Sequence, residues 1–137
     1  MKSLLKIYTD GGARGNPGPA AAGVVIFNEQ GKLIGKYSKF LGETTNNQAE
    51  YQAVIFALEK ARQLKGTTLK LHLDSEIVVQ QLNRKYKIKD SGLAALFVKI
   101  WNTGQSFKSI EYNYIPREKN KLADSQVNLC LDQYTKA

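Results

Sequence analysis

The sequence predicts an α/β fold, a five-stranded mixed sheet flanked by helices, with the first three strands antiparallel and the later strands parallel. Residues 4–41 contain three apolar, strand-like segments joined only by turns, which is typical of an antiparallel meander. From residue 46 onward, segments with helical periodicity alternate with two short strand-like segments. Such alternation favours parallel strands joined by helical crossovers. The length of 137 residues is typical of one domain, so residues 1–137 are expected to form a single domain.

The strands are recognised by apolar content and by the turn residues between them. They are predicted at residues 4–9, 21–27, 33–41, 69–73 and 109–115. Residues 11–19, dense in glycine and proline, predict a long turn after Asp10. Leucines at alternate positions define the fourth strand, and Pro116 ends the fifth.

The helices are recognised by apolar residues at helical spacing and by capping residues. They are predicted at residues 46–64, 75–82, 93–102 and 120–133. Thr45 or Asn46 can cap the first helix, and Asp74 or Ser75 the second. The side chains expected to face inward from the last helix are Ala123, Val127, Cys130, Leu131 and Tyr134.

The charge balance predicts an anionic partner. Lysine and arginine number 20 against 12 aspartates and glutamates, a net charge of +8, and nucleic acid is the usual partner of such a chain. Residues 51–100 hold most of the excess, with 9 basic and 4 acidic residues. The densest basic run, residues 84–89, can also be a solvated loop, and that alternative stays open.

Membrane and secretory classes are disfavoured by the same composition. No apolar run approaches the roughly 18 residues that a membrane span requires, and the first residues lack the apolar core of a secretory signal. Cys130 is the only cysteine, so it cannot form an internal disulfide or a thiolate zinc site. We therefore expect a cytoplasmic protein with no membrane partner, acting as a monomer.

Four acidic residues contradict the hydrophobic pattern around them. Asp10 and Asp74 follow the first and fourth strands, Glu50 lies on the core-facing stripe of the first helix, and Asp124 borders that of the last helix. Each alone can be a turn former, a cap, a helix-dipole partner or a surface residue. Gathered at one sheet edge, they would repel one another unless cations lie between them. A ligand set of oxygens alone favours Mg²⁺ or Mn²⁺, and two such ions can hydrolyse a phosphodiester.

Four motifs in order resemble those of type 1 ribonuclease H. The first runs from Tyr8 to Gly12 and continues through residues 15–19, and the second spans residues 44–51. Asp74-Ser75 matches the end of the family's fourth strand, and Ala123-Asp124 matches its last acidic position. The similarity extends from Lys6 to about Leu131, and it implies the ribonuclease H-like form of the predicted sheet.

The resemblance implies endonucleolytic cleavage of the RNA strand of an RNA/DNA hybrid, leaving 3′-hydroxyl and 5′-phosphate ends. The catalytic and metal-binding residues it implies are Asp10, Glu50, Asp74 and Asp124, with the backbone of Gly11. Two Mg²⁺ or Mn²⁺ ions are expected, with Asp10 bridging them. The substrate contacts it implies are Gly11, Gly12, Asn16, Thr45, Asn46, Asn47, Ser75, Arg117 and Lys119. Asn46 and Asn47 can alternatively serve only as helix caps.

The sequence departs from the best-studied bacterial pattern of the family in three places, and in all three it resembles a compact subgroup. The only histidine is His72, a structural residue by expectation, and the loop before Asn120 carries no histidine. The extra basic helix that grips the DNA strand in other relatives is missing, and Glu76 replaces a glutamine that contacts RNA in some of them. Some compact relatives also cut double-stranded RNA, so the resemblance implies a side activity on it. The residues expected to contact phosphates in place of the basic helix are Arg84, Lys85, Lys87 and Lys89.

Two alternative functions stay open on the sequence. One is another nuclease of the same fold, a junction resolvase or an exonuclease. The other is a module that binds hybrids without cutting them, which would not require four carboxylates.

Overall fold

The computed structural model describes residues 3–136. Its elements are β1 (Leu4–Ala13), β2 (Gly18–Asn28), β3 (Leu33–Thr44), α1 (Asn46–Gln63), β4 (Thr68–Leu73), α2 (Glu76–Leu82), α3 (Ser91–Gly104), β5 (Ser109–Tyr114) and α4 (Lys121–Lys136), with a 3-10 turn at Arg117–Lys119 before α4. The strand order is β3-β2-β1-β4-β5. β1, β2 and β3 pair antiparallel, whereas β4 pairs parallel with β1 and β5. The predicted fold class is confirmed.

The two faces of the sheet are covered by different helices because strand side chains alternate in direction. Leu5 and Ile7 of β1 join the main core, which also contains Tyr51 and Leu58 of α1. On the opposite face, Ala21 of β2 packs against Val127 and Leu131 of α4. β1 therefore lies at the centre of the sheet, between α1 and α4. No helix within residues 3–136 is long and apolar enough to cross a membrane.

The first three strands are longer than predicted. β1 and β2 stay paired through Ala13↔Ala20, so the turn predicted at residues 11–19 shrinks to residues 14–17. β3 continues past residue 41 to Thr44. Glycine weakens a strand but does not prevent ladder hydrogen bonds, and the antiparallel partner of β1 extends the pairing through Gly11 and Gly12.

The helix ends decide between the predicted caps. The Thr45 hydroxyl accepts from the Gln48 backbone N–H at 3.2 Å, and the Ser75 hydroxyl accepts from that of Val78 at 3.5 Å. The side chains of Asn46 and Asp74 therefore do not cap these helices. The inward position predicted for Tyr134 is wrong: its side chain is 46% exposed and stacks on Phe40, with ring centroids 4.2 Å apart.

Candidate active site

The candidate site forms where β1 and β4 separate. Their last aligned pair is Tyr8↔His72, so Asp10 lies two residues beyond the parallel ladder and Asp74 follows directly after β4. Because the two strands are parallel neighbours, both carboxylates emerge at the same edge of the sheet, as the sequence predicts. The His72 ring stacks on Tyr8, with centroids 4.8 Å apart, and does not line this site.

Glu50 enters the site through a close contact between β1 and α1. A Cβ atom on Gly11 would lie 2.2 Å from the Ala49 carbonyl oxygen, so only glycine lets the strand pass the first turn of the helix at this distance. Glu50 follows Ala49, and its side chain is only 8% exposed. Carboxylate oxygens of Asp10, Glu50 and Asp74 lie within 4.8 Å of one another.

Asp124 approaches the cluster from the opposite face of the sheet. It lies in the first turn of α4 and borders the same cleft, where it is one cause of the raised pKa of Asp10. The Asn128 side chain, one turn later, donates to Asp124 Oδ2 at 3.2 Å. The four acidic residues singled out in the sequence thus surround one cleft, with Asp10, Glu50 and Asp74 as its tightest group.

The electrostatics of the cluster favour protonated carboxyl groups in the absence of a cation. Burial, followed by the charge of Asp74 and the contact with Asp124, raises the pKa of Asp10 to about 8. Burial and the charges of Asp10 and Asp74 raise the pKa of Glu50 well above its ordinary value. Within residues 3–136, Glu50 Oε2 is buried without a hydrogen-bond partner. An unpaired buried carboxylate oxygen among like charges fits a hard divalent cation, which binds oxygen ligands.

The cleft has a volume of about 490 Å³ and contains most of the predicted substrate contacts. Those that line it are Gly11, Gly12, Asn46, Asn47, Ser75 and Arg117. An adjoining groove of about 350 Å³ is lined by Asn16, Thr45, Asn46, Asn47 and Asp90, among others. Lys119 is not brought to either site, because the 3-10 turn directs it to a separate groove beside Tyr8 and Phe27.

Hydrogen bonds hold the asparagines at the rim of the cleft. Asn16 Oδ1 accepts from the Asn46 backbone N–H at 3.0 Å, and Asn46 Oδ1 accepts from the Ala13 backbone N–H at 2.8 Å. Each carbonyl oxygen is thereby fixed against backbone, while both side chains stay exposed. This arrangement leaves amide N–H groups to donate to a ligand at the rim.

The basic run lies outside the acidic cleft. The Arg84 guanidinium lies over the Trp101 ring, 4.9 Å from its centroid. Lys85, Lys87 and Lys89 are exposed. Asp90, the next residue, lines the groove that contains Asn16 and Thr45, so the run leads into the rim of the site without entering it.

A buried polar residue at the site was not predicted from the sequence. Asn120, expected only as the start of the last helix, is 1% exposed, and its side chain donates to Asp74 Oδ2 at 2.9 Å. Its place four residues before Asp124 was the only signal in the sequence. Arg14 borders the cleft and forms an ion pair with Asp132 at 2.7 Å.

Comparisons with known proteins agree on one family. A family described as reverse transcriptase-like matches residues 8–130. A bifunctional protein of Mycobacterium tuberculosis is 35% identical over 127 residues, which are 92% of this chain and 35% of that protein. The chain thus spans about a third of the length of this relative.

Solved structures resemble the chain over nearly its whole length. The ribonuclease H1 of Halobacterium salinarum superposes with a TM-score of 0.93 at 35% identity, covering 95% of this chain and 98% of the other. LC11 ribonuclease H1, solved in complex with an RNA/DNA hybrid, has a TM-score of 0.91 at 42% identity, covering 96% and 99%.

Proposed function

The chain belongs to the type 1 ribonuclease H family, and from that premise we propose that it hydrolyses the RNA strand of RNA/DNA hybrids, leaving 3′-hydroxyl and 5′-phosphate ends. The observation that carries the proposal is the convergence of Asp10, Glu50 and Asp74 within 4.8 Å in a cleft rimmed by asparagines. A module that only binds hybrids would gain nothing from burying three like charges together. The hybrid-bound structure of a 42% identical protein supports the same substrate.

The cofactors in this proposal are two Mg²⁺ or Mn²⁺ ions held by Asp10, Glu50, Asp74 and Asp124, with the backbone of Gly11 as a further ligand. When bound, such ions neutralise the scissile phosphate and make a water nucleophilic at neutral pH. The fold brings Asp10 and Asp74 to one sheet edge, Glu50 from α1 and Asp124 from α4. Arg117, on the same cleft, adds positive charge toward the substrate phosphate.

Recognition of the hybrid is assigned to the rim. Asn16, Asn46 and Asn47 offer amide groups to the 2′-hydroxyls and base edges of a wide, shallow minor groove. Ser75 and the backbone at Gly11 and Gly12 border the reacting phosphate, and Thr45 borders the adjoining groove, where a DNA phosphate would bind. Lys85, Lys87 and Lys89 extend this surface with positive charge for the strand backbone.

A substrate panel tests this function. Labelled RNA/DNA hybrid, RNA duplex, DNA duplex and both single strands are incubated with Mg²⁺, with Mn²⁺ or with EDTA. We expect cleavage of the RNA strand of the hybrid, weaker cleavage of the RNA duplex, and none with EDTA. Preferential cutting of DNA would instead support a resolvase or exonuclease, and hybrid binding without cleavage under either metal would support a binding module.

The cellular location and the oligomeric state of the protein are part of the same proposal. We assign it to the cytoplasm, because its one cysteine, Cys130, requires no oxidising compartment, and we propose that it acts as a monomer. Sedimentation of the purified protein with and without hybrid measures the oligomeric state directly.

A further inference from the structure

We infer that Asn120 is a positioning residue for the acidic site, one that holds the carboxylates of Asp10 and Asp74 at a fixed separation. The inference rests on the proposed function, since it gives those carboxylates the task of holding catalytic cations. Asn120 itself faces the carboxylates rather than the cleft: it is buried and is not among the residues that line it.

The geometry connects two strands beyond the point where their own ladder ends. The amide Nδ2 of Asn120 donates to the Thr9 carbonyl oxygen at 2.8 Å and to Asp74 Oδ2 at 2.9 Å. Thr9 directly precedes Asp10, and the aligned pairing of β1 with β4 stops at Tyr8. One buried amide therefore replaces the missing backbone contacts between the strand that carries Asp10 and the residue that carries the second carboxylate.

The backbone of Asn120 adds a third connection. Its carbonyl oxygen accepts from the Asp124 backbone N–H at 3.1 Å, at the start of α4, and its own N–H donates to the Arg117 carbonyl at 2.9 Å. The same residue thus contacts Asp74, the backbone next to Asp10 and the backbone of Asp124. A displacement of Asn120 would change the spacing of three of the four proposed ligands.

The chemistry of the position favours a neutral amide. An asparagine supplies two N–H donors without charge. An aspartate of the same shape would add an anion beside three others, and a lysine would compete with the cations for the carboxylates. The donated bond occupies one oxygen of Asp74 and orients the group, as partners of ligating carboxylates do in metal sites. Asn120 Oδ1 has no hydrogen-bond partner within the described residues, so the two donated bonds are what this side chain contributes.

The experiment compares Asn120→Ala and Asn120→Asp with Gln81→Ala. Gln81 is a matched control, because it is a buried amide whose Oε1 accepts from the Tyr51 hydroxyl at 2.6 Å and it does not line the cleft. Urea unfolding with EDTA first defines conditions in which each variant is folded. Calorimetric titration with Mn²⁺ alone then measures metal affinity, and steady-state kinetics on the hybrid separate kcat from KM.

We expect both Asn120 variants to weaken Mn²⁺ binding and lower kcat by about 10- to 100-fold, with KM nearly unchanged. Asn120→Asp is expected to be no better than Asn120→Ala although it keeps the shape, whereas Gln81→Ala keeps wild-type Mn²⁺ affinity and kcat. Wild-type Mn²⁺ affinity and kcat in folded Asn120→Ala would overturn the inference. Equal losses in Gln81→Ala would also overturn it, because they would reduce the effect to general destabilisation.

The experiment also provides for an Asn120 variant that does not fold and for a protein that binds metal without cutting substrate. If Asn120→Ala does not fold, Asn120→Ser, which keeps one hydroxyl donor, takes its place under the same criteria. If the wild-type protein binds Mn²⁺ but cuts no substrate, the proposed function fails, while the ratio of Mn²⁺ affinities still decides the role of Asn120.

Discussion

Asp10 and Glu50 are carboxyl groups that the fold withdraws from water and places beside Asp74. Burial is the largest cause of their raised pKa values, and the neighbouring carboxylates add to it. Without a cation, this arrangement opposes folding at neutral pH, because the folded chain must protonate carboxyl groups that stay ionised in the unfolded chain. A function that requires a binding site for cations explains why a sequence would retain that cost.

Replacing Asp10 with asparagine separates the catalytic and the stability roles of the carboxylate. We expect Asp10→Asn to lower kcat by about 10³-fold or more, because several kcal/mol of charge stabilisation at the phosphate is lost. The metal-free variant should be more stable than the wild type at pH 8, by about 1–3 kcal/mol, because one buried like charge is removed. Near-normal cleavage with Mg²⁺, or lower stability in urea with EDTA, would contradict the assignment of Asp10.

The raised pKa values also predict how the stability of the metal-free protein depends on pH. Folded Asp10 and Glu50 hold protons that the unfolded chain releases, so the free energy of unfolding decreases as pH rises. The stability is fully present below the ordinary pKa near 4 and is lost as pH rises toward about 8. The slope is about 1.4 kcal/mol per pH unit for each proton retained.

Urea titrations with EDTA at pH 5, 6.5 and 8 measure this slope. Asp10→Asn should flatten it, and saturating Mg²⁺ should remove most of it, because the cation stabilises the ionised carboxylates. A free energy of unfolding that rises with pH over this window would show that the carboxyl groups are not buried together.

The carboxylates of the site are easier to predict from the sequence than the residues that position them. Glu50 is conspicuous because a charge on a buried helical stripe contradicts the hydrophobic pattern, and Asp10 because it follows an apolar strand. Asn120 has no such contrast, since an asparagine at a helix start is ordinary. Its role depends on Thr9 and Asp74, which lie 111 and 46 residues away in the chain, and no local pattern encodes such contacts.

At the scale of secondary structure, the contact between β1 and α1 determines where Glu50 lies. Gly11 is the contact point, because a Cβ there would meet the Ala49 carbonyl oxygen at 2.2 Å. Gly11→Ala must displace either the strand or the helix, and we expect a loss of about 1–3 kcal/mol in the free energy of unfolding. A fall in kcat should accompany it, since Glu50 moves away from Asp10.

Gly12→Ala is the control for stability. A Cβ at Gly12 would meet only Val127 Cγ1, at an ordinary 3.7 Å, so this variant should unfold within about 0.5 kcal/mol of the wild type. Equal stability of the two variants in urea would show that the strand does not pass α1 at the observed distance.

The ends of elements were harder to predict than their existence. Glycine and proline at residues 11–19 favour a turn locally, yet residues 11–13 pair with β2 and residues 18–19 pair with β3, because the partner strands supply hydrogen bonds. Similarly, neighbouring residues offer equivalent caps, and only the observed geometry assigns Thr45 and Ser75. Helix interiors were predictable because their apolar periodicity extends over many residues.

At the scale of the whole molecule, the acidic cluster and the basic run of residues 84–89 lie at different places on the surface. The acidic cluster lies at the end of the central strands, in a chain of net charge +8. The order of strands and helices was predictable, because short connections and parallel crossovers permit few topologies. The position of the basic run relative to the acidic cleft was not predictable, because it depends on how α2 and α3 pack.

Neutralising the basic run tests whether it belongs to the substrate interface. We expect Lys85→Gln, Lys87→Gln and Lys89→Gln combined to raise KM for the hybrid by about tenfold and leave kcat within about twofold, because phosphate contacts position a duplex without joining the chemical step. The slope of the logarithm of the binding constant against the logarithm of the salt concentration should shrink by roughly two to three units, at about 0.9 per lost contact for B-DNA.

The control for that variant removes the same charge from the opposite end of the sheet. Lys32, Lys65 and Lys108 are exposed and lie near the start of β1, where Asn28 pairs with Leu5. Their combined change to glutamine should alter KM and the salt slope much less, because only the long-range field changes. If both triple variants shift KM equally, net charge alone explains the effect. If neither does, residues 84–89 are a solvated loop, and the hybrid is held by the cleft and its asparagine rim.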